Sequence, residues 1–189
     1  MKPLIAAFAL AVTAVSAPAF AAPASAWTVD KAASKVSFSS SFDGDAFSGT
    51  FKRWDAAIRF DPANLAGSSV TATFDVASAA TGEAERDKAL PGPDWFNAKA
   101  TPKATFTATS FKALGGGKYT AAGNLTIRGV TKPLTLPFTL VITGDTAKMT
   151  STVGINRLAF GVGQNEWKTT QVVPGTATVT ISLTARRAK

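Results

Sequence analysis

Residues 123–143, with the sequence GNLTIRGVTKPLTLPFTLVIT, decide the fold. Leu125 and Ile127 share one face of a first alternating run, and polar residues occupy the other face. After Arg128 and Gly129, apolar residues return at every second position: Leu134, Leu136, Phe138, Leu140 and Ile142, with Thr135 and Thr139 between them. This period of two is typical of a strand with one buried face, because a helix does not place alternate residues on one side. The stretch therefore predicts a β-hairpin whose apolar residues point into the protein and whose threonines point out.

Two prolines predict how the second strand of this hairpin pairs with its neighbours. Pro133 and Pro137 are four residues apart, so their missing N–H groups face the same neighbouring strand. We expect a full ladder toward one neighbour and lost hydrogen bonds toward the other. The sequence thus predicts a gap or splayed seam on one side of this strand.

Alternation recurs along most of the chain after residue 26 and indicates an all-β protein. Eight candidate strands, joined mostly by short loops, lie at 35–42, 54–60, 70–76, 104–114, 123–128, 134–142, 148–156 and 178–184. A sheet of this kind with one apolar face forms either a sandwich or a closed barrel. The short sequential connections favour an eight-stranded antiparallel up-and-down barrel.

Residues 81–100, TGEAERDKALPGPDWFNAKA, interrupt this pattern. Their charged residues, and the lack of β-branched ones after Thr81, predict one or two helical turns over 83–90, with Thr81 as the N-cap. Trp95 and Phe96 then lie in a loop. These two large apolar side chains are expected to cap one end of the barrel, either by packing alone or by contact with a ligand.

The first residues have the layout of a cleaved secretory signal. Lys2 precedes an apolar run at 3–20, and two Ala-x-Ala cleavage patterns follow. An uncleaved membrane anchor is the alternative, since the run is long enough to span a bilayer, but the cleavage patterns weigh against it. The sequence predicts a signal peptide at 1–21, with cleavage as late as residue 26, a domain at 27–187 and export to the periplasm.

Composition excludes several classes of site. The chain has 20 Lys and Arg against 12 Asp and Glu, a formal charge of +8, and it contains no Cys and no His. Zinc thiolate or imidazole sites, c-type haem attachment and Ser-His or Cys-His nucleophiles are therefore excluded. No metal, cofactor or enzymatic activity is predicted. In an exported protein the positive charge favours anionic lipid headgroups or the cell envelope over nucleic acid. A solvated basic surface with no partner is the alternative, and it accounts for most of the charge.

Small residues interrupt the apolar faces of the predicted strands. They are Ala56, Ala72, Ala108, Gly123, Ser151 and Ala177. The side chains of an eight-stranded barrel either fill its interior or leave room for one ligand. Small inward residues reduce the filled volume, so the sequence leaves both a packed interior and a ligand cavity open.

Several motifs match one known family in order and spacing. The strongest is GNLTIRGVTKP at 123–133, supported by Asn156-Arg157 and Phe160-Gly161. Further matches are WTVD at 27–30, SKVSF at 34–38, GTF at 49–51, FDP at 60–62, ERDKAL at 85–90, FN at 96–97 and PKATF at 102–106. Over nearly all its length after residue 26, the sequence resembles the YceI-like family of exported lipid-binding proteins.

The resemblance implies a lipocalin-like barrel whose apolar pore holds a polyisoprenoid or a similar long-chain amphiphile. It brings no catalytic residues. Family members often carry a histidine in the loop before the Arg-Asp pair or after the central strand, and this chain has none. The implied function is a periplasmic carrier that sequesters its ligand without turnover. The alternative is an accessory protein that presents an isoprenoid quinone to a membrane electron-transfer partner.

The predicted ligand site is the apolar face of the barrel. Its candidate residues are Phe38, Phe42, Trp54, Ile58, Phe74, Trp95, Phe96, Phe106, Ala108, Leu125, Leu136, Phe138, Ile155 and Phe160. Arg86 and Arg157 are the candidates for contact with a polar headgroup. The expected ligand is a polyisoprenoid, an isoprenoid quinone or a fatty amphiphile. Transient contact with a membrane surface is expected, and the oligomeric state, with a homodimer among the options, is left open.

Two rival classes share some of these features. An outer-membrane barrel of eight strands would show similar alternation, but its aromatic girdles are usually rich in tyrosine, and this chain has only Tyr119. An enzyme acting within the pocket is the other rival. The missing acid–base groups argue against it.

Overall fold

The computed structural model describes residues 24–188, so the predicted signal peptide at 1–21 lies outside the described residues. Within residues 24–188 the chain forms eleven strands and one α-helix. They are β1 (Ala26–Val29), β2 (Lys35–Phe42), β3 (Asp45–Phe51), β4 (Trp54–Arg59), β5 (Ser69–Asp75), β6 (Ala79–Ala80), α1 (Ala84–Ala89), β7 (Lys103–Gly115), β8 (Lys118–Ile127), β9 (Val130–Thr143), β10 (Thr146–Asn156) and β11 (Thr176–Arg187). The all-β prediction with one short helix is confirmed.

The strands form a closed antiparallel barrel with eight strand positions. β7 to β11 each fill one position, while β1 with β2, β3 with β4, and β5 with β6 share one position each. The ring closes because β11 pairs with β10 on one side and with β1 and β2 on the other. Neighbouring positions follow chain order, which confirms the up-and-down barrel.

The first three strand positions are interrupted, and alternation alone did not indicate β1, β3 or β6. The breaks lie at 30–34, 52–53 and 76–78. Strands of four and two residues, such as β1 and β6, are too short to show a period of two. Because of these breaks, the first strand positions have different partners at the two ends of the barrel.

The two ends of the barrel differ in their connections. We call the end with the connections 60–68, 116–117 and 144–145 the turn end. We call the other the loop end; its connections are 43–44, 81–102, 128–129 and 157–175. At the turn end β1 lies between β4 and β11, with Trp27 opposite both Ile58 and Arg187. At the loop end β2 pairs with β11 and β3 instead, and the long connections cover the opening.

β9 pairs unequally with its two neighbours, as its prolines predicted. It pairs with β8 from Val130 to Thr139, whereas its pairing with β10 runs only from Thr139 to Thr143. Beyond that point Ser151 donates through Oγ to the carbonyl of Pro137 at 2.6 Å. The predicted seam is therefore confirmed, and it lies between β9 and β10 on the loop-end side.

The N-cap of helix α1 lies two residues after the predicted one. Glu83, not Thr81, is the N-cap, because its carboxylate accepts hydrogen bonds from the backbone N–H groups of Glu85 at 3.0 Å and Arg86 at 2.7 Å. Thr81 instead donates from its N–H and its hydroxyl to Asp87, at 2.6 and 2.7 Å. This contact holds the end of β6 against α1 and so sets where the following loop enters the barrel opening.

Candidate ligand-binding cavity

An apolar cavity of about 270 Å³ lies inside the barrel. The five alternating apolar residues of β9, from Leu134 to Ile142, all line it, while Thr135 and Thr139 are exposed on the outside. The prediction of which face of β9 points inward is confirmed. At about 3.4 Å per residue, the lining of β9 alone extends for about 27 Å. The cavity is therefore long and narrow.

Aromatic rings close the turn end of the cavity. The Trp27 ring nitrogen donates to the carbonyl of Phe60 at 2.8 Å, and the Phe60 ring packs edge-on against Phe111, Tyr119 and Phe138 at centroid distances of 5.4, 5.5 and 5.8 Å. Such contacts add to the free energy gained by burying the rings themselves. The cavity therefore ends against a packed hydrophobic plug.

Trp95 and Phe96 cover the loop end of the cavity, and both line it. Phe96 packs against Phe51 at 6.0 Å, and Trp95 packs against Trp167 at 5.5 Å. Arg128, in the turn after β8, donates to the carbonyls of Pro93 and Trp95. The loop is thus fixed to the barrel by a side chain rather than by strand pairing.

Most of the predicted apolar site residues meet at this cavity. Those that line it are Phe38, Trp54, Ile58, Phe74, Trp95, Phe96, Phe106, Leu125, Leu136, Phe138 and Ile155. They come from seven strands and from the loop after α1, so the barrel brings together residues that are far apart in the chain.

Three predicted pore residues lie elsewhere. Phe42 has the inward parity of β2 but sits at the tip of the β2–β3 hairpin, where it is 42% exposed and packs on Trp167. Ala108 lies at a β-bulge, where the register of β7 against β8 shifts between Ala108 and Ser110. Phe160 is buried in the core beside the cavity, not on its wall.

The two predicted headgroup arginines differ in position. Arg86 lies outside the cavity, with its guanidinium carbon 4.2 Å from the centre of the Phe47 ring. Arg157 lines the cavity and is only 5% exposed. It donates to the carbonyls of Pro174 at 2.9 Å, Val162 at 2.9 Å, Thr169 at 3.0 Å and Val173 at 2.8 Å. Burial lowers the pKa of its guanidinium from the ordinary value, yet arginine stays protonated in proteins.

A basic notch opens in the outer wall where the first two strand positions are interrupted. Its cationic residues are Lys31, Lys35, Lys52 and Arg53. Its floor includes Val36, Phe51 and Trp54, which also line the central cavity. These three residues therefore border both the notch and the interior.

The sequence matches the YceI-like domain over residues 27–185. The chain belongs to the YceI-like family. Among curated relatives, the Escherichia coli O157:H7 protein YceI is 44% identical over 97 residues, which cover 51% of this chain and 50% of that protein. The chain thus spans about half the length of the curated relatives it matches.

Solved structures support this assignment. The Burkholderia cenocepacia protein BcnA is 38% identical, with a TM-score of 0.80 over 82% of this chain and 98% of its own. A Saccharophagus degradans domain described as polyisoprenoid-binding is 15% identical, with a TM-score of 0.64 over 87% of this chain and 99% of its own. At that identity the second likeness shows the shared fold only.

This YceI-like barrel also has cavity residues outside the predicted set. Phe60 is an even number of residues from Trp54 and Ile58, so alternation predicts that it points inward with them. Ser40 is likewise two residues after Phe38 and points to the same face. Alternation did not predict that Phe111 lines the cavity, because the bulge in β7 adds one residue and so changes which residues after it point inward. A strict period of two from Phe106 places Phe111 outside, while the structure places it inside.

The carboxylates of the YceI-like barrel lie away from the cavity. Hydrogen bonds to Lys31, Arg53 and Thr81 lower the pKa values of Asp55, Asp75 and Asp87 respectively. No Asp or Glu among the described residues lines the cavity, and no group of three or more Asp and Glu there converges as a metal site. In residues 24–188, no helix has the length and hydropathy needed to cross a membrane.

Proposed function

We propose that this protein is a periplasmic binding protein that sequesters a polyisoprenoid or a similar long-chain amphiphile inside its barrel. The observation that carries the proposal is the wall of the cavity. Among the described residues that line it, Ser40 is the only hydroxyl and Arg157 the only charged group. A wall of this kind favours a hydrocarbon chain over any ligand with polar groups along its length.

The shape of the cavity favours a linear ligand. A volume of about 270 Å³ lies just below the range of ~300–1,000 Å³ found for most small-molecule pockets. Because the lining is about 27 Å long on β9, this volume suits an extended chain better than a compact ring system. A long chain also requires the wall to yield slightly along its length.

The energetics favour sequestration without turnover. A carrier must offset the loss of membrane solvation, and each CH₂ group buried in an apolar site contributes about 0.8 kcal/mol. Ten such groups contribute about 8 kcal/mol, which an apolar cavity supplies and a polar cleft does not. Among the described residues, the wall offers no carboxylate for proton transfer, and binding alone is the function we assign.

The comparisons add support. The Saccharophagus degradans neighbour is described as a polyisoprenoid-binding domain. The signal layout of residues 1–21 supports export to the periplasm. An isoprenoid quinone or a fatty amphiphile meets the same hydrocarbon requirement, and mass spectrometry of lipid extracted from the purified protein identifies which one is bound.

The basic notch supports a transient contact with membranes. Cations near an anionic surface each contribute about 1 kcal/mol to binding, and the notch presents four. Lys31 pairs with Asp55 at 2.9 Å and Arg53 with Asp75 at 2.8 Å, which leaves Lys35 and Lys52 as its net positive charge. Vesicles of phosphatidylglycerol should therefore retain the protein, and vesicles of phosphatidylcholine should not. Retention by neither would contradict this contact.

A matched pair of substitutions tests the cavity itself. Ala56 lines the cavity, and its neighbour Ala57 is exposed on the outer face of β4. Ala56→Leu should displace the ligand while costing about 1–3 kcal/mol of stability through overpacking. Ala57→Leu adds the same atoms outside and should leave the ligand in place.

Native mass spectrometry of the two variants and the parent protein, each loaded from total lipid extract, gives the result. Loss of the bound mass in Ala56→Leu alone is expected. Equal occupancy in all three proteins would place the ligand outside the cavity, and no bound lipid in any of them would remove the proposed function.

A further inference from the structure

Two polar side chains face an otherwise apolar cavity near its loop end. Arg157 is 5% exposed, and all four of its hydrogen bonds go to neutral carbonyls. The ion pairs within residues 24–188 involve other arginines and lysines, so the charge of Arg157 has no carboxylate partner there. A buried charge without a counter-charge is costly, and proteins usually pair it.

Both side chains retain hydrogen-bonding capacity. A guanidinium has five N–H hydrogens, and the bonds to the carbonyls of Pro174, Val162, Thr169 and Val173 use four of them. One hydrogen on Nη1 therefore has no acceptor among the described residues. The Ser40 hydroxyl is buried and has no hydrogen-bond partner in that part of the chain. Two unused donors thus belong to one cavity.

The strand register places these donors at the same end. Ser39 is opposite Thr178 and Asn156 is opposite Thr176, so Ser40 and Arg157 flank the same short stretch at the start of β11. The backbone N–H of Asp43 donates to the carbonyl of Val172 at 2.8 Å, which ties the β2–β3 turn to the loop that holds Arg157. The Trp95 ring centre lies 5.7 Å from the Arg157 guanidinium carbon and covers the site.

We propose that Ser40 and Arg157 bind the oxyanion head of the sequestered amphiphile, a phosphate or a carboxylate. Its hydrocarbon tail then runs toward the plug formed by Trp27 and Phe60 at the turn end. This inference rests on the proposed function, since the cavity must hold the tail. An oxyanion supplies both the missing counter-charge of Arg157 and the acceptor that the two free donors lack. A neutral head satisfies only the donors, and a cationic head is repelled.

Probes with one tail and different heads test this site. Farnesyl phosphate, farnesoic acid and farnesol share a C15 tail, and each is titrated into delipidated protein below its micelle concentration by calorimetry. We expect the two acids to bind at least about tenfold more tightly than the alcohol, because hydrogen bonds to charged groups are the stronger ones. Inorganic phosphate alone should bind far more weakly, since it lacks the tail.

Ser40→Ala separates head recognition from folding. Since Ser40 makes no hydrogen bond through Oγ within residues 24–188, its removal should not lower the Tm. It should weaken farnesyl phosphate binding by about tenfold and leave farnesol binding unchanged. Arg157→Lys, which keeps the charge but cannot reach all four carbonyls, should weaken both the loop end and the preference for acids.

A double substitution in the basic notch, Lys35→Gln with Lys52→Gln, is the control for position. It should leave the preference for farnesyl phosphate over farnesol intact. Loss of the preference in this control, or its survival in Ser40→Ala, would place the head elsewhere and overturn the proposal.

Equal affinity of the parent protein for the three lipids would overturn the head site while leaving tail binding in place. Binding of none of them would contradict the proposed function as well. Equally tight binding of inorganic phosphate would show a free-ion site and also overturn it.

Discussion

The two ends of this barrel are held together in different ways. At the turn end, continuous strand pairing surrounds a plug of aromatic rings centred on Phe60. At the loop end, the strand positions are interrupted. The covering loops there are held by bonds between loop backbones, such as Gly163 N–H to the Asp94 carbonyl, and by Arg128 and Arg157, which donate to backbone carbonyls. Packing of aromatic rings within a continuous ring of strands therefore stabilises one end, whereas hydrogen bonds to loop carbonyls arrange the other end, where both polar cavity residues lie.

The largest expected effect is at the turn end. Phe60 is 6% exposed and contacts three other rings, so Phe60→Ala should lower the free energy of unfolding by about 3–5 kcal/mol. Phe47→Ala removes the same atoms from a half-buried ring at the loop end and should cost clearly less. Urea unfolding of both variants measures the difference. Equal losses would show that the turn end does not dominate stability.

The second effect concerns the start of the folded domain, also at the turn end. Ala24 donates to the carbonyl of Gly67 at 3.1 Å, and the carbonyls of Ser25 and Ala26 accept from Phe60 at 3.0 Å and Ala188 at 2.9 Å. A protein beginning at Trp27 lacks these three bonds and should be about 2–4 kcal/mol less stable than one beginning at Ala22. We therefore expect cleavage after residue 21, which the intact mass of the exported protein checks. A mature mass beginning at Trp27 would contradict it.

Substitution of one glycine at each end tests the difference between the two ends. Gly163 has φ of +90°, and an added Cβ would clash with Nη1 of Arg157 and lie 3.0 Å from the Trp167 carbonyl. Gly163→Ala should cost about 1–3 kcal/mol and should speed hydrogen exchange in residues 157–175. Gly144, at the turn end, has φ of +56° and open space around it, so Gly144→Ala should cost only about 1 kcal/mol. Faster exchange throughout the barrel in Gly163→Ala would show that the loop end is not a separate unit.

The smallest effect is acid-dependent and lies at the loop end. Hydrogen bonds from Thr81 lower the pKa of Asp87 below its ordinary value of 3.8. A lowered pKa in the folded state stabilises the protein above the unfolded value, and this contribution is lost as the pH falls below about 4. Asp87→Asn should therefore be slightly less stable than the parent at pH 7, and the difference should shrink as the pH falls through the pKa of Asp87 in the folded protein. A difference that does not shrink in acid would assign the effect to packing.

Sequence patterns predicted the structural features that depend only on residues close together in the chain. The inward face of β9 and its unequal pairing follow from alternate residues and from two prolines, and both are confirmed. The missed features depend on distant partners. The bulge that turns Phe111 inward arises from the register of β7 against β8, and Arg157 is held by carbonyls up to seventeen residues further along the chain. Alternation carries no signal for either.

The resemblance to the YceI-like family supplied what alternation could not. The alternation in residues 35–42 and 178–184 is equally compatible with strands of a sandwich. It does not indicate that these two strands pair with each other and close the barrel. Similarly, Phe42 is on the same face of β2 as Phe38 but lies at the end of the strand, where it is exposed. Alternation predicts the face on which a residue lies, but it does not predict where the cavity ends along the strand.

The seam between β9 and β10 is a place where the barrel wall can open locally. Its β9 edge contains Pro133 and Pro137, which have no N–H to offer to a strand from another molecule. Local opening there can therefore widen the wall for a bulky chain, and the β9 side of the opening is poorly suited to strand addition. On the β10 side, the amide hydrogens of residues 152–156 that do not bond to β11 should exchange faster than those of β8, which pairs with a strand on each side.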